Sequence, residues 1–469
     1  MDARLVAAIA EENGIVPLEP EHFTDDGNAR RLVAAHGADL RFVHELGAWL
    51  VWRNVRWEED RTGEVERRCK ETVRALYREA AYADDAAYRK ELTRHANKSE
   101  SARALRAMRD LAQSEPGIPV TLEQLDADPW ALNVLNGTLD LRTGMLRPHR
   151  REDLITKLVP VPFEAGAPCP TWTAFLNRIM GGNARLVEFL QRFTGYTLTG
   201  LTSEQIIAML WGSGANGKST FVATASTMLG DYARATPMDT ILDRNDGEAR
   251  HELARLRGAR LVAAVEADSG RRLDAARVKQ IVGGDRIVAR ALYREAFEFT
   301  PTFKLLVATN HRPVVRDTSF AMWRRIRLVP FTVTIPPEEQ DRELPLKLRD
   351  ELPGILRWAV DGCLAWQRDG LGVPDEVRAA TESYRRESDW LSDFVEARCT
   401  EAPAEQATTG GLYKAYVAWC ESLEERPVSK HAFGRALTER GVQSIRTNAW
   451  RGWQGIGLRE VPEPGWVTE

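Results

Sequence analysis

Trp211 to Phe221 read WGSGANGKSTF, between the apolar run QIIAML (205–210) and the helix-patterned VATASTMLG (222–230). Gly212, Ser213, Gly214, Ala215, Asn216, Gly217, Lys218 and Ser219 fit GxxxxGK[ST] in full, with Thr220 next. Glycines let a backbone turn tightly enough for its N–H groups to converge on phosphate oxygens. The helix that follows offers its positive N-terminus to the same anion. Lys218 is then the cation for the β- and γ-phosphates, and the Ser219 hydroxyl is a Mg²⁺ ligand. The strand-then-helix context predicts a nucleotide-binding α/β core with ATP and Mg²⁺ as cofactors.

Such a loop needs an acid on a neighbouring strand. RLVAAVEADSG (260–270) supplies one: an apolar strand over 261–265 ends at Glu266, and Asp268 follows. Ligands bind at the carboxyl ends of parallel strands, where Glu266 falls, so Glu266 is the second expected metal contact. Which acid holds metal and which activates water stays open. FKLLVATNH (303–311) predicts another buried strand with Asn310 just past its end. Alone, a strand-ending Asn is usually a turn residue. After a phosphate loop and an acidic strand it is a candidate to orient the attacking water. MWRRIRLVPF (322–331) places Arg324, Arg325 and Arg327 before a further apolar strand. An Arg there can stabilise a transferring phosphoryl group from a neighbouring subunit, or simply form surface ion pairs.

Composition narrows the partners. The chain has 469 residues, 43% hydrophobic and 28% charged, with a formal net charge of −4. Bulk charge therefore does not announce nucleic acid, and any such surface is local. Cys69, Cys169, Cys363, Cys399 and Cys420 form no CxxC pair, which argues against structural zinc and for free thiols in a reducing compartment. The first residues, MDARLVAAIAEENG, carry acids where a signal peptide needs a basic start, and no run of about 18 apolar residues suggests a membrane span. A cytoplasmic protein with no membrane partner is the expectation.

Charge is indeed local. From Arg290 to Arg327 there are eight basic residues against three acids. Gly283-Gly284-Asp285 marks a turn, and IVARALYREAFEF (287–299) reads as a hairpin carrying Arg290, Tyr293 and Arg294, with Lys304 beyond it. Cations beside an aromatic suit single-stranded nucleic acid through phosphate attraction and base stacking. From Ser429 to Arg459 six basic residues face one acid, Glu439. Ser429 caps a predicted helix (HAFGRALTERG) stopped by Gly441, and SIRTNAWRGWQGIGL reads as a two-stranded wing. Lys430, Arg435, Arg446 and Arg451 are its candidate DNA contacts.

GSGANGKST, EADSG with RRLDAARVKQIVGGD, ATNHRP and WRRIRLVPF, in this order, resemble the superfamily 3 helicases of the phage and plasmid primase–helicase type, related to poxvirus helicase-primases. LNVLNGTLDLRTGMLRPH upstream and KHAFGRALTERGV downstream resemble the flanking regions of that family. The resemblance implies an AAA+-like P-loop ATPase that forms a ring, usually a hexamer, with ATP between subunits. Arg325 is then the first candidate for the interfacial arginine and Arg324 the second. Ala267 separates the two acids, where many relatives have adjacent ones. The implied function is an ATP-dependent replicative helicase acting on single-stranded and forked DNA. A ring that loads or marks origins, or remodels partners without processive unwinding, is the alternative. The expected organisation is a mainly helical, collar-like domain over 1–160, a Pro/Gly-rich linker over 160–170, the ATPase with flanking helices over 171–400, and a winged helix over 408–460. No carboxylate cluster for nucleotide polymerisation is legible, so a primase or polymerase is expected as a separate partner.

Overall fold

The computed structural model describes residues 22–242, 252–265, 272–290, 296–317, 319–423, 427–446 and 450–459. The chain divides into two compact units, Met1–Phe163 and Glu164–Glu469.

In the first unit, α1 (Asp25–His36) starts at Thr24, whose side chain accepts the Gly27 N–H at 3.0 Å; β1 (Leu40–Val43), β2 (Ala48–Trp52) and β3 (Trp57–Glu59) then form an antiparallel sheet. Three helices follow: α2 (Glu64–Tyr82), α3 (Ala86–Ser99), capped by Asp85, and α4 (Ala102–Ala112), capped by Ser101. A second antiparallel sheet comprises β4 (Ala131–Val134), β5 (Gly137–Asp140) and β6 (Met145–Arg147). The helices bury one stripe each: Val65, Cys69, Val73 and Leu76 recur at three- and four-residue spacing on α2. Val65, Cys69 and Val73 pack with Leu32, Phe42, Trp49 and Met108, and Leu76 packs with Ala80, Leu92 and Ala96. Each such side chain contributes roughly 1.5–3 kcal/mol when removed from water.

One buried polar cluster fastens α1 to α3. Asn28 donates to Ser99 Oγ at 2.9 Å, and its Oδ1 lies 2.8 Å from His95 Nε2. Burial, and then Arg31, lower the His95 pKa below its ordinary 6.5. The folded unit thus prefers neutral His95. Its contribution is complete above about pH 6.5 and is lost as pH falls below that value, because the unfolded chain takes up the proton first. His36, also lowered by burial, adds in the same direction. Melting temperature is expected to drop between about pH 7 and pH 5, with a shallower drop in His95→Gln. An equal drop in both proteins would remove His95 as the cause.

The second unit opens with α5 (Pro170–Ile179) and α6 (Ala184–Thr197). Its centre is a five-stranded, all-parallel sheet: β7 (Ile207–Trp211), β8 (Ala233–Pro237), β9 (Leu261–Val265), β12 (Lys304–Thr309) and β13 (Ile326–Pro330), in spatial order β13-β7-β12-β9-β8. β12 is buried at every position, as a parallel strand covered on both faces should be. α7 (Lys218–Leu229) follows β7 directly, and α8 (Ala275–Gly283) leads to the antiparallel hairpin β10 (Ile287–Arg290) and β11 (Ala296–Phe299). The short α9 (Phe320–Trp323) precedes β13. α10 (Leu344–Asp350), α11 (Leu352–Asp369) and α12 (Asp375–Glu387) follow. α11 lies directly against α6 through two glycines: a Cβ on Gly195 would stand 2.1 Å from Cys363 N, and one on Gly362 2.2 Å from Gln191 O. Any side chain there would push the two helices apart.

The C-terminal elements are α13 (Trp390–Arg398), β14 (Cys399–Thr408), α14 (Thr409–Ser422), α15 (Lys430–Glu439), β15 (Gln443–Arg446) and β16 (Arg451–Leu458). Their sheet runs β14-β16-β15 and covers Phe394, Tyr416, Phe433, Leu437, Trp453 and Ile456. β15 and β16 pair antiparallel, Ser429 caps α15, and Gly441 (φ +90°) follows it. This core reaches further back than residue 408, since α13 and β14 belong to it. No described helix is long and apolar enough to cross a membrane. The five cysteines are free thiols.

Candidate nucleotide site at the sheet edge

β7 ends at Trp211, α7 begins at Lys218, and the glycine loop joins them at the carboxyl edge of the sheet. Gly214 (φ +106°), Ala215 (φ +47°) and Gly217 (φ +81°) all take left-handed backbone. Gly217 admits no alternative: besides its φ, an added Cβ would lie 2.5 Å from Ile179 Cγ2 of α5. The loop is pinned from the far side as well. Ile335 N donates to Ala215 O at 2.7 Å, and Asn216 Nδ2 donates to Phe331 O at 3.2 Å.

Lys218 is 5% exposed, and its Nζ donates to Gly212 O (2.7 Å), Asn216 Oδ1 (3.0 Å) and Asn310 Oδ1 (3.0 Å). Register explains the last contact. Thr309 of β12 stands opposite Trp211 of β7, so Asn310 leaves its strand where the loop begins. Two residues expected to act together, 92 apart in sequence, are therefore hydrogen-bonded. Ser219 and Ser213 are exposed at the mouth of the loop. Glu266 and Asp268 lie outside the described residues, as do Tyr293 and Arg294. Among the described residues no cluster of three His, Cys, Asp or Glu side chains forms a metal site.

Arg324 and Arg325 are not brought to Lys218. Arg325 O accepts the Ile207 N–H at 2.8 Å, so both arginines sit at the amino edge of the sheet, at the start of β13 beside the start of β7. A five-residue strand at about 3.3 Å per residue puts roughly 16 Å between that edge and the loop. Arg324 is exposed and donates to Gln205 Oε1 at 2.8 Å; Arg325 is half-buried, donates to Ala321 O, and has its pKa lowered by burial and then by Arg324.

Lys304 requires a correction. Expected beyond the hairpin as a DNA contact, it is 2% exposed at the first position of β12. Its Nζ donates to the carbonyls of Thr199, Leu201 (3.3 Å) and Thr302 (3.3 Å), with the Tyr196 ring centroid 4.8 Å away. Arg260 beside it donates to Leu198 O. Together they satisfy carbonyls just past the end of α6, where a helix dipole favours cations. Burial, and then Arg260, push the Lys304 pKa well below the usual lysine range. No surface is left for DNA.

Of the other expected DNA contacts, Arg290, Lys430, Arg435, Arg446 and Arg451 are exposed. Arg446 and Arg451 are direct cross-strand partners. Like charges placed opposite each other destabilise a hairpin unless an anion lies between them.

Arg312 was not singled out from sequence. Its guanidinium lies 3.9 Å from the centroid of the Trp211 ring, at the start of the loop, and pairs with Glu387 of α12. Its only signal was position, two residues after Asn310.

Three family models match: D5 N terminal like over residues 29–181, a family of unknown function (DUF5906) over 210–325, and Poxvirus D5 protein-like over 386–450. The chain is 26% identical over 300 residues to "Putative helicase L207/L206" of Acanthamoeba polyphaga mimivirus, covering 59% of this chain and 31% of that protein. It is 26% identical over 378 residues to "Putative helicase 022R" of Frog virus 3 (isolate Goorha), covering 63% and 39%. To "Putative primase C962R" of African swine fever virus (isolate Tick/Malawi/Lil 20-1/1983) it is 24% identical over 325 residues, covering 64% and 34%. The chain thus spans about a third of the length of the curated relatives it matches. Among solved structures, the apo NrS-1 C terminal region (305-718) aligns with 92% of this chain and 99% of its own at 9% identity and a TM-score of 0.49.

Proposed function

From the premise that this chain carries D5-type regions and is related to proteins named as helicases and primases of large DNA viruses, we propose that it is an ATP-driven helicase motor, acting as a ring on single-stranded DNA at a replication fork. The observation that carries this reading is the Lys218–Asn310 hydrogen bond, which sets a cation and an amide together at the mouth of a glycine loop.

The residues present fit a nucleoside triphosphate. Gly214, Ala215 and Gly217 take the left-handed backbone that a phosphate-cradling loop uses, and α7 adds its positive end. Backbone from Gly212 to Thr220 holds the phosphates, with Lys218 as the counter-charge. The Ser219 hydroxyl and Glu266 are the proposed holders of Mg²⁺, which when bound neutralises charge on the phosphate oxygens. Asn310 orients the attacking water, and one of Glu266 and Asp268 accepts its proton. Arg325, with Arg324 as second candidate, serves the site of a neighbouring copy. The distance along β13 keeps either from serving its own. Arg290 at the end of β10, with Tyr293 and Arg294 after it in the chain, grips the strand. The C-terminal elements act as a winged helix, in which Lys430, Arg435, Arg446 and Arg451 meet duplex phosphates. Lys304 has no part in this.

ATP hydrolysis is measured with and without single-stranded DNA, beside displacement of a strand from a forked duplex. Stimulation by DNA together with fork opening supports the motor. Hydrolysis that ignores DNA, with the fork closed, overturns it and favours a loading or remodelling ring. Arg325→Ala is expected to lower hydrolysis by at least about 10²-fold while ATP binding persists, and mixing it with Lys218→Ala protein should restore part of the activity. Normal hydrolysis by the Arg325 variant moves the role to Arg324 or removes it from the interface.

A further inference from the structure

The first unit carries a basic surface that the motor reading does not use. Lys90, Arg94 and Lys98 of α3 are exposed, and among the described residues none has an ion-pair partner. They recur every four residues, so at about 100° and 1.5 Å per residue they form one stripe about 6 Å apart along the helix. The buried side of α3 (Leu92, His95, Ala96 and Ser99) is opposite. Three residues beyond Ser99, α4 begins, and among the described residues Arg103 and Arg106 are likewise exposed and without an ion-pair partner.

The contrast with α2 is informative. There Arg67 and Arg68 pair with Glu64, and Lys70 pairs with Glu66, each three or four residues away. That is how a solvated helix face normally balances its charge. On α3 the residues four away from Arg94 are Lys90 and Lys98, so like charges adjoin and weaken the helix. The neighbouring acids Glu91 and Glu100 pair with none of them. Asp110, on the Arg103–Arg106 side of α4, is engaged by Arg109 at 2.9 Å.

We infer that Lys90, Arg94 and Lys98, continued by Arg103 and Arg106, form a second nucleic-acid surface, which binds one strand's phosphates without reading its sequence. The spacing is regular and linear, as a phosphate backbone is. No large apolar side chain of α3 is exposed to give a protein interface its dry centre. The inference goes beyond the motor reading and does not depend on it, because it concerns binding in the absence of nucleotide.

The test uses the full chain without ATP. Affinity for a labelled oligonucleotide is followed across a salt series for wild type, K90E/R94E/K98E and K90Q/R94Q/K98Q, with circular-dichroism melts to confirm folding. Each lost phosphate contact removes about 0.7–0.9 from the slope of log K against log salt, so losing three lowers it by about 2–3. An affinity loss of at least about tenfold near 0.1 M salt should accompany this, with the glutamine variant between the other two. An unchanged slope in a folded variant overturns the inference. An unchanged slope with altered self-association assigns the stripe to a protein contact and overturns it too. A wild-type chain that binds no DNA at low salt overturns it outright, whereas absent ATP hydrolysis leaves it standing and removes only the motor.

Discussion

Lys218→Ala is expected to abolish ATP hydrolysis, by at least about 10²-fold and with it any fork opening. The side chain is the buried cation of the loop, and no other lysine or arginine among the described residues shares its hydrogen bonds to Gly212 O, Asn216 and Asn310. Removing it takes away the charge that would stabilise a transferring phosphoryl group. It also releases Asn310 and Asn216, so geometry and charge are lost together. Lys218→Met separates the two, because it keeps the volume and the packing but not the charge. Both variants should melt below wild type, since Gly212 O, Asn216 and Asn310 lose a buried donor, yet remain folded through the loop's other ties, Ile335 N to Ala215 O and Asn216 to Phe331 O. Hydrolysis within about threefold of wild type in a folded Lys218→Met protein would show that the loop is not the site of the reaction.

The second large effect is on stability. Lys304→Ala should destabilise the second unit by about 3–4 kcal/mol, since it orphans the carbonyls of Thr199, Leu201 and Thr302 and leaves a gap beside Tyr196. That corresponds to a fall of roughly 5–10 °C in melting temperature for a unit of this size. DNA affinity of the protein that remains folded should not change. A variant that melts normally but loses DNA would return Lys304 to the surface and contradict its burial. Arg290→Ala is the comparison: exposed on β10, it should leave stability nearly unaltered.

These two lysines also show how far sequence carries. Lys218 was legible because its neighbours fix its role. Glycines at set spacing, an apolar run before and a helix after permit one local geometry, and that geometry is local enough to be written in eleven residues. The strands over 207–211, 261–265 and 304–309 were legible for a related reason, because a parallel strand buried on both faces must be a continuous apolar run. The hairpin at 287–299 and the cap at Ser429 were readable from turn and cap residues alone. Lys304 looked the same as its basic neighbours in sequence. Whether a cation faces water or the carbonyls past a helix end depends on α6, a hundred residues earlier. β14 was hidden too: CTEAPAEQAT carries no strand signature, and its pairing with β16 decides its state.

The sequence by itself determined the parallel α/β core, the loop and the residues that meet in it, because local backbone chemistry and unbroken apolar runs leave few other structures. Only the tertiary structure decided which charges are available. It buried Lys304, set Arg324 and Arg325 a strand's length from the loop of their own chain, laid Arg312 on Trp211, and gave Lys90, Arg94 and Lys98 no counter-ion among the described residues. Charge spacing does not say whether a side chain faces water or the interior, so the partner of a cation such as Lys304 or Arg312 is fixed by whichever distant backbone or acid the fold brings within reach.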